Sequence, residues 1–357
     1  MSDAAHAPKP TLGRIPKQRF CPNTEEVTGS NPVSPTSISP SQSHLAEDSE
    51  ASVPQLLLRP PWKDVGVHND FDIDQAIAQL TDATVISITK LVGYANETHA
   101  IELSDGERMV VRILIILTRP MARHEASVQQ ALIAAGIDTP VSLRLRNGDV
   151  VGHVNGTSFT VSRFIDGSVP AEVTDGLMRD FGRVAARFHR ATTHINVAAP
   201  QWLSPVVVTS GLETFSDATF GKKLQRMADG ASHIFDAGLP MATIHGDLWI
   251  GNVFADGDRV TTVFDLETME TNLRILDIAR SALDASYLGM DANRALRDVA
   301  IGYNEVDALM QEELDHLTAA YRHVAVACAL WEYESGSQEY ALAAFASAEN
   351  LDDSAIR

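Results

Sequence analysis

From Thr243 the chain reads Thr-Ile-His-Gly-Asp-Leu-Trp-Ile-Gly-Asn-Val-Phe, and Val260-Thr261-Thr262-Val263-Phe264-Asp265 follows after a short gap. Apolar arms on either side of Asp256-Gly257-Asp258 predict a hairpin, which leaves Asp247, Asn252 and Asp265 near one end of it. Three oxygen-bearing side chains can then converge. Such a set suits phosphoryl transfer, in which charge builds on the equatorial oxygens of a metaphosphate-like group while an attacking hydroxyl is aligned and relieved of its proton. Asp247 can accept that proton as general base. Asn252 and Asp265 offer the hard oxygen donors that magnesium prefers, with phosphate and water filling most other positions. Taken singly, each has an ordinary reading as a solvated carboxylate, a turn amide or a helix cap, and the grouping is what carries the chemistry.

His245 makes a poor metal ligand, because no second His or Cys lies at ligand spacing, so its expected task is to hydrogen-bond the loop and keep Asp247 aimed. Asp277 stands before Ile278-Ala279 at the start of a helical run. It can complement that helix terminus or accept hydrogen bonds from the backbone of the catalytic loop.

The elements that must position these residues fall into two groups. A short helix with Ile73, Ala76, Ile77 and Leu80, capped by Asp72 or Asp74, precedes a strand at Thr84–Ile88. Glu97–Leu103 and Met109–Ile115 form a hairpin around Ser104-Asp105-Gly106-Glu107. A helix over Pro120–Ala135 ends at Gly136, and strands at Val141–Leu145, Val150–Val154 and Ser158–Phe164 follow. Beyond Gly167 the period becomes helical: Leu177 to His189, Glu213–Phe235, Ile275–Leu288, Ala292–Tyr303, Glu312–Glu334 and Glu339–Ala348. Ala198–Ser210 reads as a variable connection. A strand-rich unit followed by a helix-rich one predicts an α+β protein with a cleft between two lobes.

Composition bounds the partners. The 357 residues are 45% hydrophobic, enough for a sizeable core. Cys21 and Cys328 are the only cysteines, so a disulfide scaffold is excluded, and Cys328 sits in an apolar run as a small core hydrophobe. The formal charge of −19 disfavours a nucleic-acid partner. No apolar run long enough to span a bilayer and no secretory signal are visible, so a cytoplasmic protein without membrane attachment is expected. Residues 1–68, rich in Ser, Pro, Asn and Gln towards their amino-terminal end, are read as a disordered or misannotated extension.

His245-Gly246-Asp247-Leu248, Gly251-Asn252, Val263-Phe264-Asp265 and Asp277-Ile278-Ala279 together resemble the catalytic, metal-binding and supporting segments of the aminoglycoside phosphotransferase and choline kinase superfamily. The resemblance runs from about Leu80 to Leu342 and implies a two-lobed protein-kinase-like fold. A small antiparallel β-sheet lobe, residues 69–165, would bind the nucleotide, and a larger, mainly helical lobe, residues 166–357, would carry catalysis and substrate binding. It makes Asp247 the general base, Asn252 and Asp265 the magnesium ligands and Asp277 the support of the loop. Leu91-Val92-Gly93-Tyr94-Ala95-Asn96 resembles the loop that covers the nucleotide, Glu125 the acidic partner of the phosphate-binding lysine, and Ser162, Phe164 and Ile165 the inter-lobe link that meets adenine. Arg112 stands where that lysine is expected; it keeps the charge but changes the geometry, so tolerance of arginine, another register and weakened activity all stay open.

The implied function is a small-molecule kinase that moves the γ-phosphoryl group of ATP, or GTP, with Mg2+ to a hydroxyl of an amino alcohol, amino sugar or related metabolite. Alternatives are a catalytically weak nucleotide-binding regulatory protein, and a homoserine kinase, to which Ala300–Asp307 and Glu312-Glu313-Leu314 bear a weaker resemblance. For a cationic acceptor, Glu267, Glu270, Glu332 and Glu334 are expected to face the pocket, with Trp331 or Tyr333 as an aromatic wall. Monomer and homodimer remain equally open.

Overall fold

The computed structural model describes residues 71–91, 96–115, 117–197 and 201–353. The expectations for residues 1–68, and for the covering loop at residues 92–95, lie outside the described residues.

Asp72 accepts from the Gln75 backbone N–H (2.9 Å) and starts helix α1, Ile73–Ala78. Strands β1 (Val85–Leu91), β2 (Glu97–Leu103) and β3 (Arg108–Ile113) lead to helix α2, Arg119–Ala134, after which come β4 (Gly152–Val154) and β5 (Thr157–Arg163). They form one antiparallel sheet in the order β1-β2-β3-β5-β4. Side chains alternate along β3: Met109, Val111 and Ile113 join Ala76, Ile77 and Phe159 in the core of this lobe, and Arg112 therefore points to the other face. Thr118 caps α2, and Pro120 is accommodated in its first turn.

Val141–Leu145 is not a strand. Its only ladder element is an isolated bridge from Ser142 to Ser162, because the Ser142 N–H donates to Gln129 Oε1 (2.8 Å) instead of to a neighbouring strand. Val150 and Val151 likewise leave the sheet, their N–H groups turned to Asp149 Oδ1, so β4 begins only at Gly152.

The larger lobe begins with α3 (Asp175–Ala191), α4 (Pro205–Thr214) and α5 (Ala218–Ala231). It continues through β6 (Met241–Ile244), β7 (Val253–Asp256), β8 (Arg259–Val263) and β9 (Glu270–Leu273) into α6 (Ile275–Tyr287), α7 (Ala292–Asn304), α8 (Gln311–Glu334) and α9 (Gln338–Glu349). Strand β7 pairs with β8 as the expected hairpin, and β6 pairs with β9. Two expectations fail between α3 and β6. Residues 201–210 are not a loose connection: Pro205 opens α4, and Leu203, Val207 and Val208 are buried. The single helix expected over Glu213–Phe235 is broken at Asp217, whose carboxylate accepts from the Thr219 and Phe220 N–H groups and starts α5 afresh. Cys328 is buried, and burial pushes its thiol up to about 12. Among the described residues no helix is long and apolar enough to cross a membrane.

Helices α3 and α7 cross at two glycines. A Cβ on Gly302 would lie 1.8 Å from the Arg179 carbonyl oxygen, and one on Gly182 would lie 2.0 Å from that of Val299. Backbone, not a flexible side chain, stands in the way. Gly302→Ala is expected to lower unfolding free energy by about 3 kcal/mol, read as a fall in urea midpoint at unchanged slope.

Candidate active site

The loop that leaves β6 is held from below. Asp277, in the first turn of α6 and 0% exposed, accepts from the His245 N–H (2.8 Å, Oδ2), the Gly246 N–H (2.9 Å, Oδ1) and His189 Nε2 (2.9 Å). His189 Nδ1 in turn meets the Tyr303 hydroxyl at 2.9 Å. Burial opposes the charge on Asp277, but the hydrogen bond and charge of His189, with His245 and its N–H, hold the carboxyl below its usual range. Gly246 has φ +78°, and a Cβ there would lie 2.5 Å from the Thr268 carbonyl oxygen, so the turn admits only glycine. Of the two readings of Asp277, the geometry is that of an acceptor for loop backbone.

His245 joins this loop to the next strand. Its Nε2 donates to the Phe264 carbonyl (2.8 Å), which leaves Nδ1 to accept from the Asp247 N–H (3.2 Å). The Asp247 carboxylate is gripped at both oxygens. Asn252 Nδ2 donates to Oδ2 (2.9 Å) and to the Asp247 carbonyl (2.9 Å), while Arg280 reaches Oδ1 with Nε (2.9 Å) and Nη2 (2.8 Å). Arg280 is a residue that sequence reasoning missed. Its side chain is 8% exposed, lies over Trp202 (5.4 Å) and Trp249 (5.7 Å), and pairs through Nη1 with Asp284. Burial pushes the Asp284 carboxyl up to about 7 against the pull of Arg280, with the Asp247 charge adding to the rise.

Asp265 follows β8 in the left-handed region (φ 58°, ψ 65°), just after Phe264, whose N–H donates to the Asn252 carbonyl (2.8 Å). Although Asp265 keeps contact with solvent, desolvation by the surrounding protein first, and then the Asp247 charge, push its carboxyl up to about 7, against the attraction of Arg112. Arg112 arrives from the β-sheet lobe, is ion-paired to Glu125 of α2, and also feels Glu267 and Asp265. Glu125 is itself braced by Gln129 (3.1 Å). The site therefore unites Asp247, Asn252, Asp265, Arg112 and Glu125, residues far apart in sequence.

The acidic residues expected along the acceptor pocket are placed differently. Glu267 accepts from Asn96, whose Oδ1 takes the Ile115 N–H (2.8 Å), so it lies on the Arg112 side of Asp265. Glu334 accepts from the N–H (3.2 Å) and hydroxyl (2.8 Å) of Ser216, and Tyr333 packs on Phe215 and Phe220 while donating to Asp217. Trp331 is half-buried in the last turns of α8, and the aromatic rings over Arg280 belong to Trp202 and Trp249 instead. Glu332 acts electrostatically on Asp284. Ser162 lies on β5 opposite Val110, the Phe164 N–H donates to the Arg108 carbonyl (3.0 Å), and Ile165 is half-buried beside it in the inter-lobe link.

Glu270 is 2% exposed; its Oε2 accepts from the Gln201 N–H (3.1 Å), and its Oε1 is buried without a partner. It is a core carboxyl, not a pocket wall, and burial pushes it up to about 7 from 4.5. A raised carboxyl is neutral below its unfolded pKa and must be ionised at a cost above it, so stability falls as pH rises from about 4.5 through about 7. Glu270→Gln is expected to match the parent at low pH and to exceed it by on the order of 3 kcal/mol at about pH 8, read from urea unfolding at both values.

The donor set suits a divalent cation, although no group of three His, Cys, Asp or Glu side chains able to hold a metal occurs among the described residues. The amide nitrogen of Asn252 is engaged by Asp247, which leaves its Oδ1 as an acceptor, and Asp265 is an accessible carboxyl whose charge a cation would restore.

A sequence model of the phosphotransferase enzyme family matches residues 88–312. The homoserine kinase of Granulibacter bethesdensis is 29% identical over 196 residues, 52% of this chain and 61% of that protein. That of Rhizobium johnstonii is 26% identical over 203 residues, 53% of this chain and 63% of its own length. The matched region thus spans less than two thirds of either relative. Among solved structures, a microcompartment-associated aminopropanol kinase superposes with a TM-score of 0.62 at 17% identity, covering 78% of this chain and 95% of that one. An amicoumacin kinase in complex with AMP-PNP and Ca2+ superposes with a TM-score of 0.61 at 15% identity, covering 77% and 92%. These likenesses establish the fold, two lobes with a small antiparallel sheet and a larger helical body.

Proposed function

The chain belongs to the phosphotransferase enzyme family, and from that premise we propose that it transfers the γ-phosphoryl group of ATP or GTP to a hydroxyl of an amino alcohol, amino sugar or related small metabolite. The observation that carries this reading is the meeting of Asp247, Asn252 and Asp265 beneath Arg112.

In the reaction, Asp247 hydrogen-bonds the acceptor hydroxyl and takes its proton as the new oxygen–phosphorus bond forms and the bond to the departing diphosphate breaks. Arg280 and Asn252 fix the carboxylate so that a lone pair remains for that hydroxyl. Arg112, steadied by Glu125, faces the phosphates; Ser162, Phe164 and Ile165 border the base. Held by Asn252 Oδ1 and Asp265, magnesium would neutralise charge on the transferring phosphates. His245 and Asp277 position the loop without touching substrate.

A homoserine acceptor is the second reading, favoured by the homoserine kinases among the relatives and by both signs of charge beside Asp247: Arg280 for a carboxylate, and Asp284 with Glu332 for an ammonium. ADP release measured with homoserine, aminopropanol, ethanolamine, choline and an aminoglycoside tests both. Acceptor-dependent release supports the phosphotransferase, and homoserine as best acceptor supports the narrower reading. Nucleotide-dependent thermal stabilisation with no release for any acceptor would favour a regulatory nucleotide-binding protein, the outcome that Arg112 keeps in view.

A further inference from the structure

A cavity of about 390 Å³ lies between residues 136–138, α3 and β8, and shares no lining residue with the site described above. Val184, Val260 and Val263 contribute apolar lining, and three arginines, Arg183, Arg187 and Arg259, line it with them. Arg183 is committed to Glu305 (2.6 Å) and Asp180 (3.2 Å). Asp180 is satisfied in turn, its second oxygen taking the Val260 N–H (2.8 Å). Arg187 is different: its Nε is sealed from solvent without a hydrogen-bond partner, and no ion pair of Arg187 or Arg259 occurs among the described residues. The one other carboxylate on the lining, Asp138, is exposed.

The Arg187 Nε is closed off from the cavity as well, so a ligand there would be met by the outer guanidinium nitrogens; two lining arginines without a carboxylate partner are unusual in a chain of net charge −19 that has carboxylates to spare. We propose that this cavity is a second ligand site, which takes a small oxyanion, a phosphate monoester or a carboxylate, on a short apolar body. The head group accepts from Arg187 and Arg259, and the body rests on the valines. The position is consequential, since β8 runs on into Phe264, which accepts from His245, and α3 carries His189 two residues beyond Arg187. The inference is independent of the phosphotransfer reading.

Isothermal titration of phenyl phosphate and of benzoate into the full chain, with and without saturating magnesium AMP-PNP, tests it. One saturable site that persists with nucleotide is expected, weakened about tenfold or more in Arg187→Gln, the loss of a charge-assisted hydrogen bond. The tighter of the two probes assigns the head group. Arg259 is exposed, so Arg259→Gln leaves packing untouched and is expected to weaken the same site several-fold even if the Arg187 variant folds poorly. No saturable binding of either probe, displacement by the nucleotide, or unchanged affinity in the folded variants would overturn the proposal.

Discussion

Asp247→Ala is expected to cut turnover by about a thousandfold while leaving AMP-PNP affinity within about threefold of the parent. The substitution removes the one carboxylate placed to take the hydroxyl proton, and leaves Arg112, Glu125 and the inter-lobe link in place. Arg280 keeps Asp284 as its partner, so no buried cation is stranded and the variant is expected to fold. Single-turnover phosphoryl transfer with calorimetric nucleotide binding separates the two quantities. Near-parent turnover would remove Asp247 from the mechanism. Arg280→Gln is expected to fall between the two, lowering kcat by about tenfold with little change in nucleotide KM, because it loosens the aim of the base without removing it.

The second large effect is on stability. Asp277→Ala is expected to cost about 4 kcal/mol, since two loop N–H groups and His189 lose their shared acceptor in a fully enclosed place. Asp277→Asn, which can accept but carries no charge, is expected to recover part of this. The pH dependence has a definite sign. A carboxyl held below its unfolded value contributes its full stabilisation above about pH 4 and loses it as pH falls through the depressed folded value. The gap between parent and Asp277→Asn, read by urea unfolding, is therefore expected to be widest near neutrality and to close in acid. A gap independent of pH would mean that the charge on Asp277 does not matter.

Much of this arrangement is legible in the chain because it is local. The Gly257 turn between apolar arms pairs β7 with β8, and short spacing alone brings Asn252 to Asp247. Arg280 is harder to read. It stands one helical turn beyond Asp277 and one before Asp284, and those three are the charged residues in a buried stretch from Ile275 to Ala285 that is otherwise apolar but for Ser281. A charged stripe on an enclosed helix is the signal that would have found it, since such groups persist only when paired. Trp202 lay in a stretch whose Pro and Ser obscured the helix that follows, and β9 is only four residues long. Glu267 was misplaced for another reason. Nearness in sequence to Asp265 cannot say which side of a cleft a side chain takes, and Asn96, which decides it, is 171 residues away.

The glycine crossing of α3 and α7 bears on how defects in this protein would present themselves. His189 rides on one helix and Tyr303 on the other, and Tyr303 reaches Asp277 through His189, so the two rods form a single spar under the reactive loop. A bulky replacement at position 182 or 302 would masquerade as a chemical lesion, silencing turnover although every residue that meets the reactants is intact. Revertants restoring growth or activity to such a strain should then map to the seam between the rods, and not to the loop they support.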